Sequence, residues 1–170
     1  RDQVLVQFAN KSASILIATD VAARGLDIKG LPAVINFELS PDPETHIHRI
    51  GRTGRAGSKG MAFSLFMASE QYKVKAIKEQ LKVPVQIEKA SSLKTRDNFI
   101  LKPPMVTLSI NGGRKNKIRA GDILGALTRD NSLPGKKIGK IDISENVSFV
   151  AVDFQASKQA LKILSEGRIK

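Results

Sequence analysis

The chain has 170 residues, of which 41% are hydrophobic, enough to fill a core and too many for a disordered protein. Lysine and arginine number 28 against 16 acidic residues, so the net charge of +12 indicates a polyanionic partner, most often nucleic acid. The chain contains no cysteine, which excludes a disulfide scaffold, a cysteine-ligated zinc site and a thiol nucleophile.

The beginning of the sequence predicts a helix. The segment RDQVLVQF, which opens the chain without an initiator methionine, places Val4, Leu5 and Phe8 on one helical face. We therefore expect the chain to be a piece of a longer protein. No apolar run approaches the roughly 18 residues that a membrane span requires, so we expect a cytoplasmic protein without membrane contact.

Short apolar runs then alternate with helical patterns. Three runs rich in β-formers predict buried parallel strands: SILIAT at 14–19, AVINF at 33–37 and GMAFSLF at 60–66. One helix is predicted to begin near Pro43, and another follows Ser69 with a stripe of apolar residues at Val74, Ile77 and Leu81. Alternating strands and helices favour an α/β layer structure.

A second unit follows a break in the pattern. We assign residues 1–84 to the first domain, 85–104 to a linker that ends at two prolines, and 105–170 to a second domain. The second domain reads β-α-β-β-α, which is the ferredoxin-like order without its last strand. Residues 100–170 carry 13 basic and 6 acidic side chains, which makes the second domain the more basic.

The most informative segment is HRIGRTGRAG, residues 48–57. Its arginines Arg49, Arg52 and Arg55 are spaced by three, so on a helix Arg52 and Arg55 would be neighbours. Adjacent guanidinium groups repel each other unless an anion lies among them, and the interleaved glycines would let the backbone approach that anion. The pattern favours a triphosphate site, and the alternative is a solvated basic helix face.

A second segment, ATDVAARGLDI at 18–28, directly follows the first predicted strand, where open α/β sheets place ligand-binding loops. An acidic side chain there, such as Asp27, could accept hydrogen bonds from ribose hydroxyls, and Arg24 could reach across a domain interface. The alternative is that Asp20, Arg24 and Asp27 are solvated or paired among themselves.

These two segments resemble motifs V and VI of the DEAD-box RNA helicases, and RDQVLVQF resembles the end of motif IVa. The resemblance covers residues 1 to about 85 and implies the second of two RecA-like domains, which close together on ATP and RNA. It implies that Arg52 and Arg55 contact the ATP phosphates, one of them as an arginine finger. It also implies that Gly25 and Asp27 bind the nucleotide, with Asp27 on its sugar.

The same resemblance implies further roles. His48 and Arg24 would couple the two domains, with His48 also counted among the catalytic groups, and Arg1 and Thr19 would contact RNA phosphates.

The second domain has a resemblance of its own. The strings INGGRKNKIRAGDILGAL and IGKIDI resemble the RNA-recognition-motif-like tail of DbpA-type bacterial DEAD-box proteins. This resemblance implies a monomeric protein whose tail binds a hairpin of 23S ribosomal RNA and tethers the helicase core there during large-subunit assembly.

The residues of the tail predict an unusual RNA surface. RNA-recognition motifs stack bases on outward aromatics of the sheet, yet the first strand would present Thr107 and Ser109, and the strand VSFVAVDF only Phe149. We therefore expect RNA contacts at Phe149 and, more importantly, in the basic loop after the first strand. The basic loop comprises Arg114, Lys115, Lys117 and Arg119.

Two absences limit what this chain does alone. It has no GxxxxGK[ST] phosphate loop and no DEAD-like segment, both of which phosphoryl transfer requires. We expect ATP with Mg²⁺ as the cofactor, and we expect the Mg²⁺ ligands to lie in a first domain outside this chain. Within this chain we expect no metal site, and we expect no ATP hydrolysis by the chain alone.

The leading hypothesis is the C-terminal part of an RNA-dependent ATPase that separates short ribosomal RNA duplexes. The alternatives are a non-catalytic RNA-binding module, a DEAD-box helicase of other RNA specificity and a DNA helicase.

Overall fold

The computed structural model describes residues 2–20, 30–54, 59–81, 84–94 and 96–169. Contacts divide the chain into two compact units, one formed by residues 20–97 and the other by residues 1–19 together with 98–170. This grouping differs from the predicted domains, because residues 1–19, which contain the predicted first helix, α1 at Asp2–Ala9, join the second unit. The predicted boundaries at 84 and 105 stay predictions. None of the helices in the described ranges is long and apolar enough to cross a membrane.

The unit of residues 20–97 contains a parallel β-α-β arrangement followed by a helix. Its elements are β1 Ala33–Asn36, α2 Pro43–Ile50, β2 Met61–Ser64 and α3 Gln71–Leu81. Strands β1 and β2 pair in parallel, with Ala33 opposite Met61 and Asn36 opposite Ser64. Both predicted helices are confirmed, and Ile77 of the predicted stripe is buried on α3.

One predicted strand is wrong. Residues 15–19 of SILIAT form neither helix nor strand, and Ile15 and Ile17 are exposed. A strand requires a neighbouring strand for its N–H and C=O groups, and none of the described strands pairs with these residues. The prediction of buried strands is also wrong for β2, because Met61 and Phe63 are exposed beside Ile35 of β1.

The other unit holds the second domain, here called the tail. Its sheet has the strand order β3-β5-β4 with antiparallel pairing throughout, which is the ferredoxin-like arrangement. The elements are β3 Met105–Ile110, α4 Ala120–Thr128, β4 Ile138–Ile143, β5 Ser148–Asp153 and α5 Ser157–Glu166. The predicted β-α-β-β-α order is confirmed, and with it the fold class: a parallel sheet with helices plus a small antiparallel-sheet domain.

Helices α4 and α5 cover one face of the tail sheet. Val150 and Val152 of β5 are fully buried against them, together with Ile123, Leu127 and Ala160. Because side chains alternate across a strand, Phe149 and Ala151 lie on the opposite face, here called the outer face.

The segment after α1 connects this helix to the tail sheet. The chain turns at Lys11, whose φ of 57° is left-handed. This turn brings residues 11 and 12 into contact with β3. There the Met105 N–H donates to the Lys11 carbonyl at 3.3 Å, and the hydroxyls of Ser12 and Thr107 lie 2.6 Å apart. These contacts explain why residues 1–19 belong to the tail's unit.

Candidate functional site

Helix α2 carries the first three residues of the arginine-rich segment, His48–Ile50, and its start is determined locally. Asp42 caps the helix by accepting hydrogen bonds from the N–H groups of Glu44 and Thr45, at 3.3 and 2.8 Å, and Pro43 takes the first helical position. The Thr45 hydroxyl also donates to Asp42 at 2.7 Å. The hydrogen bonds from Thr45 keep the pKa of the Asp42 carboxyl below its usual value.

Arg49 on α2 is neutralised by a carboxylate. Its Nε and one terminal nitrogen donate to the two oxygens of Asp20 at 2.7 and 2.6 Å, and its other terminal nitrogen donates to the Glu38 carbonyl at 2.9 Å. The hydrogen bond with Asp20 raises the pKa of Arg49. Arg49 is therefore not one of the anion-seeking guanidiniums that the triplet suggested. It joins the two motif segments, a connection that no pattern in the sequence indicated.

Arg52 lies in a turn beyond the helix, because α2 ends at Ile50. The predicted side-by-side placement of Arg52 and Arg55 holds only on the condition that both lie on a helix. Arg52 does not lie on a helix, so that condition is not met. The turn is fixed by its backbone: the Arg52 N–H donates to the Arg49 carbonyl at 3.2 Å, and the Arg52 carbonyl accepts from the Leu31 N–H at 3.0 Å. The turn presents the half-buried Arg52 just after a helix C-terminus, whose partial negative charge favours a cation.

Glycine is required where this turn closes. Gly54 has a left-handed φ of 65°, and a Cβ on Gly60 would collide with the Gly54 backbone and the Thr53 hydroxyl. That hydroxyl donates to the Leu31 carbonyl. The turn is thus packed against Leu31, which precedes it in the sequence, and Gly60, which follows it.

The two histidines of α2 differ in solvent exposure. His48, the predicted coupling residue, is exposed, whereas His46 is only 4% exposed. The Nδ1 atom of His46 has no hydrogen-bond partner among the described residues. Burial lowers the pKa of His46, and the charge of Arg49 adds to this effect. No pattern in the sequence distinguished the two.

The burial of His46 predicts that the protein loses stability at acidic pH. Since the pKa of His46 is lowered on folding, the unfolded chain takes up the proton first as pH falls below about 6.5, so the unfolding free energy should fall with it. We expect the thermal midpoint of this unit, followed by circular dichroism, to drop between pH 7.5 and 5.5. The variant His46→Phe should show a smaller drop. Equal drops in both proteins would contradict this role of His46.

Several predicted site residues lie outside the described residues: Arg1, Arg24, Gly25, Asp27 and Arg55. Their roles stay predictions. Thr19, the other predicted RNA contact of the first domain, is exposed.

The basic loop of the tail is anchored to the β4–β5 turn. The N–H groups of Arg114 and Lys115 donate to the carbonyls of Ser144 and Glu145 at 2.9 and 3.0 Å. A Cβ on Gly113 would collide with these same carbonyls, so only glycine permits the close approach. The loop backbone is therefore positioned before any ligand binds.

The four cations of the basic loop are all exposed, and the first two of them belong to a short 3₁₀ turn at Arg114–Asn116. Lys117 follows the turn with a left-handed φ of 59°, and the Arg119 N–H donates to Asp122 at 2.9 Å as α4 begins. Lys115 forms a long, exposed ion pair of 3.5 Å with Glu145. Such a pair is weak, so it competes little with a phosphate.

Phe149 differs from its prediction. It lies on the outer face, as expected, but it is only 9% exposed and cannot present a ring to a base in this state. The expectation of an exposed aromatic side chain at this position is therefore wrong.

The described residues include no group of three or more histidine, aspartate or glutamate side chains able to hold a metal ion. A phosphate contact by the Arg52 guanidinium stays a prediction.

Comparison with known proteins agrees with both resemblances. Residues 1–57 match the helicase conserved C-terminal domain, and residues 107–170 match the DbpA RNA-binding domain. The chain is 49% identical to the ATP-dependent RNA helicase DbpA of Escherichia coli over its whole length, and it covers 37% of that protein. It is 33% identical to the Bacillus subtilis DbpA, again over its whole length, and covers 40% of that protein.

A solved structure of the E. coli DEAD-box protein SrmB is 35% identical over 56% of this chain and 57% of that chain, with a TM-score of 0.49. The chain spans about two fifths of the length of the curated DbpA relatives. The chain thus combines a match to the helicase conserved C-terminal domain with a match to the DbpA RNA-binding domain, and along its whole length it is similar to the DbpA-type DEAD-box proteins.

Proposed function

We propose that this chain is the part of an ATP-dependent RNA helicase that completes the ATP site from one side and binds structured RNA with its tail. The observation that carries the proposal is the 49% identity, over the whole chain, to a relative described as an ATP-dependent RNA helicase. The RNA is a hairpin of 23S ribosomal RNA, and the activity is the separation of short ribosomal RNA duplexes during large-subunit assembly. The protein acts as a monomer in the cytoplasm.

The arrangement around α2 supports the ATP half of the proposal. The Arg49–Asp20 pair joins the segments that resemble motifs V and VI, and the fixed turn places Arg52 close to that junction. In this proposal Arg52 and Arg55 stabilise the charge that develops on the γ-phosphate, and His48 and Arg24 transmit domain closure. ATP would be bound with Mg²⁺, whose ligands belong to the first domain of the helicase.

The anchored basic loop supports the RNA half. A loop whose backbone is positioned in advance loses little conformational freedom on binding, so its cations contribute more fully to affinity. Positive charge alone attracts any RNA. Specificity for one hairpin therefore requires that the loop fit the shape of that hairpin.

The proposal is tested in a protein that joins this chain to an ATP-binding first domain. We expect ATP hydrolysis that depends on RNA, with a 23S hairpin fragment stimulating it at least tenfold more than an unrelated duplex of equal length. The chain alone should hydrolyse no ATP and should still bind the hairpin.

Two outcomes would contradict the proposal. Hairpin binding without RNA-dependent ATP hydrolysis in the joined protein would favour a non-catalytic RNA-binding module. Equal stimulation by all RNAs would favour a DEAD-box helicase of other RNA specificity.

A further inference from the structure

We propose that a cavity at the ends of strands β1 and β2 binds a short segment of a partner protein, in which large apolar side chains are followed by a lysine or arginine. The binding of such a peptide does not depend on the proposed function, because the cavity is lined neither by Arg52 nor by any residue of the tail.

The cavity lies at the carboxyl ends of the two parallel strands. Its volume is about 390 Å³, which is within the range of pockets that hold small ligands. Just beyond the strands, the Leu65 N–H donates to the Asn36 carbonyl at 3.0 Å, so the segments that follow β1 and β2 lie side by side. The cavity therefore occupies the edge of the sheet at which open α/β folds bind ligands.

Most of the cavity lining is apolar. Five apolar side chains contribute to it, namely Phe37, Leu39, Leu65, Phe66 and Met67. Leu39 is buried, whereas Phe37 and Met67 are 78% and 73% exposed. Aromatic and methionine side chains are enriched in protein interfaces relative to the rest of a protein surface. Covering Phe37 and Met67 with an apolar side chain of a partner would therefore stabilise a complex.

The charged residues that line the cavity favour a cation. Lys73 donates to Glu70 at 2.8 Å, and the second carboxylate oxygen of Glu70 accepts from the Met67 N–H at 3.0 Å, so this pair is neutral within itself. Glu38 is exposed and has no ion pair among the described residues. With two carboxylates and one ammonium group, the lining carries one net negative charge in a chain whose net charge is +12.

The combination of apolar walls and an unpaired carboxylate selects the class of partner. A nucleotide or an RNA strand would bring phosphate groups close to the carboxylate of Glu38, which repels them. A peptide supplies an apolar side chain for the walls and, on the next residue, an ammonium or guanidinium group for Glu38. Because the cavity is small and its charge is exposed, we expect weak but selective peptide binding.

Binding at this cavity also reaches the segments that resemble motifs V and VI. The Glu38 carbonyl accepts a hydrogen bond from Arg49 at 2.9 Å, and Arg49 pairs with Asp20 at 2.6 Å. A peptide that holds Glu38 therefore holds the stretch of chain that positions Arg49. A partner protein bound here would act on the junction of the two motif segments from outside the ATP site.

The peptide SGLFKGS tests the cavity in an NMR titration of the full chain. Its dissociation constant should be about tenfold lower than those of SGLFEGS, which reverses the charge, and SGSSKGS, which lacks the apolar pair. The amide signals of Leu39 and Met67 should shift on binding, and that of Ser165 in the tail should not. Equal binding of the three peptides, or binding of none, would overturn the proposal.

Variants of the apolar wall locate the peptide. Phe37→Ser should weaken the binding of SGLFKGS about tenfold. Tyr72→Ser is the matched control, because Tyr72 is a similarly exposed aromatic residue of the same unit, 69% exposed, that does not line the cavity. This control should leave the affinity within twofold. Equal weakening by both variants would overturn the assignment to the cavity.

Variants of the charge test the role of Glu38. Glu38→Gln should weaken the binding of SGLFKGS about threefold, as expected for the loss of one exposed charge pair. Glu79→Gln removes an exposed carboxylate of α3 that does not line the cavity, and it should have no effect. In the parent chain the side-chain Nε signal of Arg49 should shift at saturating peptide. An unchanged Arg49 signal, or equal affinities in the two variants, would overturn the contact with Glu38.

Two other occupants of the cavity are distinguished with Phe37→Ser. The parent chain and this variant should bind a single-stranded polyuridylate with affinities within twofold of each other. A tenfold loss of RNA affinity in the variant would assign the cavity to RNA and overturn the proposal. Sedimentation of the parent chain should show no dimer that Phe37→Ser dissociates, since such a dimer would assign the cavity to a second copy of the chain.

Discussion

Arg52→Ala is expected to lower ATP turnover on the order of 10³-fold or more in a protein that joins this chain to an ATP-binding first domain. Phosphoryl transfer is catalysed mainly by electrostatic stabilisation, and in the proposed function the fixed turn after α2 brings the Arg52 guanidinium to the γ-phosphate. RNA affinity should change little, because the basic loop is unaltered. Steady-state hydrolysis at saturating RNA, with RNA binding measured in parallel, checks the prediction.

Two matched variants make this result specific. Arg52→Lys keeps the charge but removes the planar donor pair, so we expect an intermediate rate. Lys59→Ala removes an exposed cation from the same unit and should leave turnover unchanged. Hydrolysis at the parental rate in Arg52→Ala would show that this arginine does not contact the phosphates. A decrease in RNA binding equal to the decrease in turnover would assign it to the RNA site instead.

Replacing Lys115, Lys117 and Arg119 together by alanine is expected to reduce the affinity for the hairpin about tenfold at 100 mM salt, taking roughly 0.5 kcal/mol per exposed phosphate contact. The slope of log K against log salt should become shallower by roughly one unit for each phosphate that a removed cation had neutralised. The loop is anchored by the backbone N–H groups of Arg114 and Lys115, and alanine retains a backbone N–H, so the anchor is preserved. Fluorescence anisotropy over a salt series measures both quantities.

The control variant removes the same charge from another surface of the tail. Lys158, Lys162 and Arg168 are exposed on or just after α5, and changing all three to alanine lowers the net charge equally. This control should leave the affinity within about twofold, since it retains the loop. Equal weakening in both triple variants would mean that only overall charge attracts the RNA. Phe149→Ala is unsuitable as a probe of stacking, because that side chain is buried and its removal would disturb the fold.

Much of the fold follows from signals that are local in the sequence. The Asp42 cap and Pro43 define where α2 begins, the apolar stripe of α3 brings Ile77 into the core, and the strands and helices of the tail follow the predicted order. Each depends on residues within a turn or two of one another. The motif strings are local too, so the family assignment needed no coordinates.

The sequence by itself determined the fold class, the order of elements in the tail, the resemblance of the two motif segments and the position of the basic loop. Only the tertiary structure decided that Arg49 is neutralised by Asp20, 29 residues away, and that Ser12 meets Thr107 across 95 residues while Phe149 is buried. It also decided that SILIAT joins none of the described strands. Periodicity shows which residues are apolar or charged. A partner strand or a counter-ion is set by contacts between residues distant in sequence, which no local pattern contains.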